Sequence, residues 1–203
     1  EDDKLIDEIN LDDGRTHSEN LMPLINEILK RNSLDIKNIE MLSCSCGPGS
    51  FTGIRIGVAT IKPIAEVLNI KVASVTSLEI LARNIENAET IVSLIDARNN
   101  QVYCGIFDKE YNKKQEYLAD DINNVIEVLK KYENITVVGN GAILHKELLT
   151  NCLKSVDFAK ENEQSAANCG KIGYKKFLKN ELYNADTIVP IYLRKSQAER
   201  LKK

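Results

Sequence analysis

The sequence predicts an α/β protein built from two packed halves of similar design. Segments with the pattern of buried strands alternate with segments of helical spacing over residues 39–83, and a second such series begins near Thr90. Alternation of this kind is typical of layered α/β sheets. The 203 residues are enough for one large domain or two small ones. Because no linker rich in Pro, Gly or Ser separates the two series, we expect closely packed halves at residues 1–89 and 90–203.

The first half begins with a short predicted strand over residues 5–11 and a helix whose start carries a capping box. Thr16 stands at the N-cap position and Glu19 follows three residues later. Apolar residues then recur at helical spacing as far as Arg31. The remaining segments are predicted as a strand (39–46), a tight loop (47–53), a helix (54–68), a strand (71–75) and a helix to residue 83 capped by Ser77.

The second half opens with a hairpin. Residues 91–95 and 102–107 are strand-like, and the turn between them, at residues 98–101, is rich in Asn. A third strand over residues 114–118 would extend the hairpin into a meander. The rest is predicted as a helix (121–132), a strand (135–138) and two helices (141–153 and 164–179).

Composition excludes several classes of protein. Lys and Arg number 27 against 30 Asp and Glu, so the net charge of −3 supplies no overall positive field to capture nucleic acid. No apolar run approaches the ~20 residues that a membrane-spanning helix needs. The five cysteines and two histidines form no zinc-ligand pattern, and Cys44 and Cys46, on one face of a strand, are expected to be small buried apolar residues. We therefore expect a cytoplasmic protein with no membrane segment, disulfide framework or metal site.

The segment Gly47–Gly53 (GPGSFTG) is the sharpest local pattern. Its three glycines and one proline allow an abrupt turn and a close approach to a ligand, and the start of the following helix favours an anion. The Gly-Lys-Ser/Thr of a P-loop is missing, so a tight strand-to-helix turn capped by Thr52 is the simpler explanation. The candidate phosphate or nucleotide contacts are Gly47, Gly49, Ser50, Thr52, Gly53 and Arg55.

The helix predicted over residues 54–68 is apolar on nearly all sides. A helix that buries one side only shows a single apolar stripe. This helix is therefore either enclosed within the fold or covered by another chain.

Two further segments carry weaker signals. Asp96 ends a strand beside the hairpin turn, where it could act as a general base or metal ligand; a salt bridge with Arg98 or an Asx-type support of the turn is the more ordinary role. Arg194, Lys195 and residues 200–203 form a modest basic tail, which is either a solvated end or a contact for an RNA backbone. Ser, His and Asp residues are present, but nothing aligns them as a catalytic triad.

Together these segments resemble one family, TsaB (also called YeaZ), the bacterial partner of the tRNA threonylcarbamoyltransferase TsaD. The resemblance spans essentially the whole chain. The matching residues are His17-Ser18-Glu19 with Leu21 and Pro23; Gly47 to Gly57 (GPGSFTGIRIG); Ser77-Leu78-Glu79; Asp96-Ala97-Arg98 with Val102-Tyr103; Gly139-Asn140-Gly141; and Val189 to Arg194 with Gln197-Ala198-Glu199.

The resemblance implies an actin-like, ribonuclease H-like fold of the sugar kinase and Hsp70 type, with two similar subdomains. It also implies a non-catalytic subunit that supports TsaD, together with TsaE, in making N6-threonylcarbamoyladenosine at position 37 of tRNA. TsaD would hold the metal and transfer the threonylcarbamoyl group. A subunit of this kind would have no catalytic residue, metal or cofactor of its own, and would meet ATP or ADP only at the interface with TsaD. It would contact tRNA only through the complex, and could form a homodimer when TsaD is absent.

The same resemblance places the partner-binding surface on the helices at residues 17–31 and 54–68. The side chains it implies are Ser18, Leu21, Met22, Ile25, Ile54, Gly57, Val58, Ala59 and Ile61. Two features depart from the family pattern. This sequence starts after the family's first strand, which carries an Asp-Thr pair, so the N-terminal subdomain lacks that strand here; and Lys62-Pro63 stands where Lys-Gly is usual, which predicts a kink in the second helix.

Two other functions remain open at the level of sequence. One is a small-molecule kinase or ATPase of the same fold, which would use the loop Gly47–Gly53 around phosphates. The other is a glycoprotease-like metallopeptidase, for which the sequence shows neither a nucleophile nor a metal-ligand motif.

Overall fold

The computed structural model describes residues 1–11 and 17–194. Contacts along the chain divide it into two compact units. Unit 1 comprises Glu1–Cys46, Ser50–Val75 and Cys169–Pro190; unit 2 comprises Gly47–Gly49, Thr76–Asn168 and the residues from Ile191 onward. The halves at 1–89 and 90–203 follow the order of elements along the chain, and that division stays a prediction.

Unit 1 is built round two parallel strands, β1 (Met41–Ser45) and β2 (Lys71–Val75). Parallel neighbours need a crossover connection, and the helix α2 (Phe51–Leu68) supplies it. It packs on β1, and the preceding helix, α1 (His17–Arg31), packs on α2. The far edge of β2 is closed by Tyr183, whose backbone N–H and C=O both bond to Val72 at 2.9 Å.

Unit 2 contains a five-stranded sheet with α3 (Ser77–Ala82) before it in the chain. Its strands are β3 (Thr90–Asp96), β4 (Gln101–Asp108), β5 (Leu118–Asp121), β6 (Ile135–Val138) and β7 (Val156–Phe158), in the order β5-β4-β3-β6-β7. The first three are antiparallel, whereas β6 and β7 run parallel to β3. The helices α4 (Ile122–Leu129), α5 (Asn140–Leu144) and α6 (Lys146–Cys152) lie between the later strands. The chain then forms α7 (Ala166–Leu178).

Both faces of the unit 2 sheet are buried. Successive side chains of a strand point to opposite faces, so Val92 and Leu94 of β3 enter one apolar cluster while Ile91 and Ile95 enter another. The first cluster is completed by α4 and α6, and the second by α3. Enclosure on both faces explains why β3 and β4 read as nearly continuous apolar runs.

Most of the predicted elements are confirmed, and several of their ends differ. The hairpin and β2 lie where the sequence placed them, and residues 135–138 form β6. The helix predicted from residue 54 begins at Phe51 and runs past Pro63 to Leu68. The third strand of the meander is Leu118–Asp121, which shares only its first residue with the predicted range 114–118; Lys113, just before that range, forms a single bridge with Phe107.

Several predictions about local structure are wrong, and one strand was not predicted. Residues 5–11 are not a strand, since no strand within residues 1–11 and 17–194 pairs with them and Leu5, Ile6 and Leu11 are at least half exposed. The helix predicted over 141–153 is two helices, because His145, at φ −106° and ψ 20°, interrupts it. The cap of α3 is Thr76 and not Ser77. The strand β7 was missed, because its three residues are too few to show a pattern. The Thr16 cap predicted for α1 lies outside the described residues.

Candidate partner-binding surface and glycine-rich loop

Helix α1 leaves its apolar side incompletely covered. Its apolar stripe lies on α2, yet no described side chain of α1 is fully buried. Leu21 and Ile25 are half-buried, and Met22 is 42% exposed. In a helix that belongs to a finished core, side chains at these positions are buried. The surface therefore retains apolar area that another chain can cover.

Helix α2 has one buried face and one exposed face, so this chain does not enclose it on all sides; the alternative that another chain covers it stays a prediction. Ile54, Val58, Ile61 and Ala65 recur at helical spacing and are all buried. Its opposite side carries exposed residues, among them Ala59, Pro63 and Val67. The stripe forms because α2 lies on β1, where the Sγ of Cys44 would be 3.7 Å from a Cβ added to Gly57.

The predicted interface set is therefore corrected at three positions. Ile54, Val58 and Ile61 are core residues of the chain itself, because their side chains are only 8%, 4% and 9% exposed and leave almost no surface for a partner. Six positions keep some exposure, and their assignment to an interface stays a prediction: Ser18, Leu21, Met22, Ile25, Gly57 and Ala59.

The glycine-rich loop is divided between the two units. Gly47, Pro48 and Gly49 belong to unit 2, where the carbonyl of Gly47 accepts a hydrogen bond of 2.9 Å from the N–H of Ser77. Gly47 has a φ of 104°, a conformation that other residues rarely adopt, so glycine is required at this point of the turn.

The remaining loop residues open helix α2 in unit 1. The cap is Ser50 and not the predicted Thr52: the hydroxyl of Ser50 accepts a hydrogen bond of 3.3 Å from the N–H of Gly53, and its carbonyl accepts one from Ile54. Two of the N–H groups offered to an anion are thus already bonded. Ser50, Thr52 and Arg55 are exposed, and the Arg55 guanidinium lies 5.9 Å from the Phe51 ring centre. A phosphate contact at the six loop residues stays a prediction.

Asp96 supports the hairpin turn. Its carboxylate accepts a hydrogen bond of 2.8 Å from the N–H of Arg98, and its own N–H donates to the side chain of Asn140 at 3.0 Å. Arg98, Asn99 and Asn100 all have positive φ, which explains the Asn-rich turn. The Asx-type role is confirmed. Arg194 donates to the carbonyl of Ala97, and the rest of the basic tail lies outside the described residues.

The thiols of unit 1 form an electrostatic arrangement that the sequence did not reveal. Cys44 and Cys46 are both buried, as predicted, and their thiols donate to the backbone carbonyls of Ser45 and Cys44, each at 3.5 Å. Hydrogen bonding with the Cys44 thiol, then with Ser74 and Val75, and the charge of Lys176 lower the pKa of Cys46 to about 7, although burial opposes the shift. The neighbouring Cys46 thiol and burial raise the pKa of Cys44. Only their spacing of two residues on a strand could have signalled the pair.

Within residues 1–11 and 17–194, no three His, Cys, Asp or Glu side chains come together in a way that could hold a metal ion. Nor does any helix in those parts of the chain have the length and apolar character to cross a membrane.

Known proteins similar to this chain agree on one family. A family model described as TsaD: tRNA N6-adenosine threonylcarbamoyltransferase matches residues 12–202. The tRNA threonylcarbamoyladenosine biosynthesis protein TsaB of Bacillus subtilis (strain 168) is 30% identical over 192 residues, which cover 91% of this chain and 82% of that protein. The chain belongs to the TsaB family.

A second TsaB protein, from Haemophilus influenzae, is 28% identical over 193 residues, covering 89% of this chain and 80% of that protein. Among solved structures, YeaZ from Pseudomonas aeruginosa superimposes with a TM-score of 0.76 at 22% identity, over 90% of this chain and 92% of that one. Another structure, described as an uncharacterized protein with similarity to peptidase YeaZ from Pseudomonas aeruginosa, superimposes with a TM-score of 0.74 at 23% identity. The match covers 89% of this chain and 85% of that one. The predicted TsaB resemblance and actin-like α/β fold are confirmed, and the kinase or ATPase alternative is not favoured.

Proposed function

We propose that this chain works in the biosynthesis of threonylcarbamoyladenosine in tRNA by binding and supporting TsaD, together with TsaE. The names of its TsaB relatives support the assignment of this chain to that biosynthesis. The observation that carries the binding role is the incompletely covered apolar side of α1, on which Met22 is 42% exposed. In this scheme TsaD performs the transfer, and this chain is a non-catalytic subunit that acts in the cytoplasm.

The direct test is reconstitution of the modification. We expect TsaD and TsaE to form threonylcarbamoyladenosine on a tRNA transcript when this chain is present, and far less when it is omitted, as measured by mass spectrometry of the digested nucleosides. The chain alone should form none. Equal product with and without the chain would refute the supporting role.

The interface is tested by two substitutions and a matched control. Ile25→Glu and Ala59→Glu place a charge on the proposed surface, and burying an unpaired charge is costly, so both variants should fail to co-elute with TsaD. Asn26→Glu adds the same charge at an exposed position next to Ile25 and should co-elute normally. If both substituted variants bind TsaD as well as the control does, the interface lies elsewhere.

Two finer parts of the proposal use the same surface. Without TsaD, we expect the apolar side of α1 to pair with a second copy of the chain, so light scattering should report a dimer for the unsubstituted chain and a monomer for Ile25→Glu. We also propose that ATP or ADP meets Ser50, Thr52 and Arg55 only in the complex with TsaD. Equilibrium dialysis with the complex should then show nucleotide binding that Arg55→Ala weakens, and none with this chain alone.

A further inference from the structure

The outer side of helix α7 carries a row of lysines. Cys169, Ile172 and Gly173 face inward and are buried in unit 1. Lys171, Lys175 and Lys179 are exposed and recur every four residues. At 1.5 Å of rise per residue, side chains four apart are spaced by about 6 Å along one side of a helix.

These three lysines have no acidic partner among the residues that the structure describes. None of them forms an ion pair within 4 Å of a carboxylate there, whereas Lys113 and Lys130 pair with Glu116 and Glu127 at 2.8 and 2.6 Å. Their positive charge is therefore available to an anionic partner. Because the whole chain has a net charge of −3, this positive charge is a local feature.

Exposed aromatic and apolar side chains lie at the C-terminal end of the same helix. Tyr174 and Phe177 are stacked with ring centres 6.5 Å apart, and Phe177 is 42% exposed. Leu178 and Tyr183 are 66% and 47% exposed.

A cleft of about 390 Å³ opens where the lysine row ends. It is lined by Ser74, Lys176, Asn180, Glu181, Leu182 and Tyr183. The ammonium group of Lys176 donates to the carbonyl of Ser74 at 2.7 Å. The cleft thus brings Tyr183 and Lys176 together beside the C-terminal end of α7, with the carboxylate-bearing Glu181 also in its lining.

Cations in a row beside an exposed aromatic ring are the two elements by which proteins hold single-stranded nucleic acid. Lysines follow the phosphate backbone, and an aromatic ring stacks on a base. An acidic protein partner would use the charges but would leave the aromatic ring at the cleft without a role. We propose that Lys171, Lys175, Lys179 and Tyr183 bind an RNA strand, which, resting on the proposed function, belongs to the tRNA being modified.

The test measures binding of a fluorescein-labelled tRNA transcript by anisotropy, with the complex of this chain and TsaD. The triple variant with Lys171, Lys175 and Lys179 changed to Gln should bind roughly tenfold more weakly, and the slope of log K against log salt should fall by about 2, at ~0.7 per lost phosphate contact. Tyr183→Ala keeps the backbone bonds to Val72 and should weaken binding about fivefold or more through lost stacking. The control changes three other exposed lysines, Lys131, Lys154 and Lys160, to Gln and should leave affinity and slope unchanged.

Each result separates this inference from the proposed function. If the α7 triple variant binds the transcript like the control triple, the inference is overturned while the TsaD partnership stands. If the α7 triple variant no longer co-elutes with TsaD, the row is a protein interface and the inference is also overturned. If the unsubstituted chain itself neither binds TsaD nor promotes modification, the proposed function fails, and the same variants are then compared for tRNA binding by the chain alone.

Discussion

The hydroxyl of Ser43 donates a hydrogen bond of 2.8 Å to the backbone carbonyl of Cys169, which lies 126 residues further along the chain. This bond attaches β1 to helix α7. A Cβ added to Gly173, one turn later in α7, would lie 2.5 Å from the Ser43 oxygen and 2.7 Å from its Cβ. Close packing of this helix on the strand therefore depends on a glycine at position 173.

The first prediction concerns that contact. Gly173→Ala should lower the free energy of unfolding by about 1–3 kcal/mol, because the clash with the Ser43 Cβ cannot be relieved by rotating the serine side chain. Gly170→Ala, in the same helix, meets nothing within 4 Å and should be neutral or stabilising by up to about 1 kcal/mol through helix propensity. Urea denaturation followed by circular dichroism compares the two. Equal stability of the two variants would mean that α7 does not approach β1 this closely.

The second prediction concerns the two sides of α2. Val58 is 4% exposed and Val67 is 83% exposed, so the same substitution tests burial at both positions. Val58→Ala should cost roughly 2 kcal/mol, from two lost methyl groups and the cavity they leave, whereas Val67→Ala should change the free energy of unfolding very little. Chemical denaturation measures both. A Val58→Ala variant of full stability but reduced affinity for TsaD would return Val58 to the interface.

The third prediction concerns the capping box of α3. The N–H of Thr76 donates to the Glu79 carboxylate at 2.7 Å, and the N–H of Glu79 donates to the Thr76 hydroxyl at 3.1 Å. Thr76→Ala removes the hydrogen bond that the Thr76 hydroxyl accepts from Glu79 and the bond of 3.2 Å between that hydroxyl and Tyr117. The free energy of unfolding should therefore fall by about 1–2 kcal/mol. Denaturation monitored by tyrosine fluorescence is a suitable measurement. Thr76→Ser retains the hydroxyl and should preserve most of the stability.

Tyr117 provides a related spectroscopic prediction. Burial, followed by the charge of Glu79, raises its pKa to about 12 against the opposing hydrogen bond from Thr76. A phenol whose pKa is raised in the folded state stays protonated there while the unfolded chain ionises, so its contribution to stability is lost as pH rises from about 10 to 12. Absorbance at the tyrosinate band should show one late-titrating tyrosine that disappears in Tyr117→Phe. If the titration curves of the two proteins differ by a group with an ordinary pKa, Tyr117 is not buried as described.

The last prediction concerns the thiol pair. Between about pH 7 and 9 the unfolded chain keeps the Cys46 proton that the folded chain has lost, so the free energy of unfolding should rise with pH, by at most about 3 kcal/mol. Above pH 9 it should fall, because the raised pKa values of Cys44 and Cys104 keep their protons on the folded chain after the unfolded chain has released them. Urea denaturation under reducing conditions from pH 6.5 to 10 measures how the free energy of unfolding depends on pH. Cys46→Ala should abolish its rise between pH 7 and 9 and keep its fall above pH 9. If the free energy of unfolding of that variant still rises, another group causes the rise.

Sequence patterns predicted the local elements well where a pattern is complete within one segment. The hairpin of β3 and β4 follows from two apolar runs round an Asn-rich turn, and the turn residues indeed have positive φ. Helix caps were less predictable. Ser50 and Thr52 are both residue types that cap helices well, and only the backbone geometry of the loop decides that the Ser50 hydroxyl is the one that reaches the N–H of Gly53. Residues 5–11 contain the apolar residues of a possible strand, but among the described residues no strand pairs with them, and a strand is stable only when it is paired.

By itself the sequence determined the α/β class, the series of strands and helices, the glycine-rich turn and the resemblance to the TsaB family, because each depends on residue types at fixed spacing. Tertiary structure alone decided which apolar side chains of α2 are core, why Gly173 must lack a side chain and which thiol has a lowered pKa. The burial and the electrostatic environment of a side chain depend on contacts between segments that are far apart in the chain, such as those of Ser43 and Cys169. A local sequence pattern does not show which segment will pack against it.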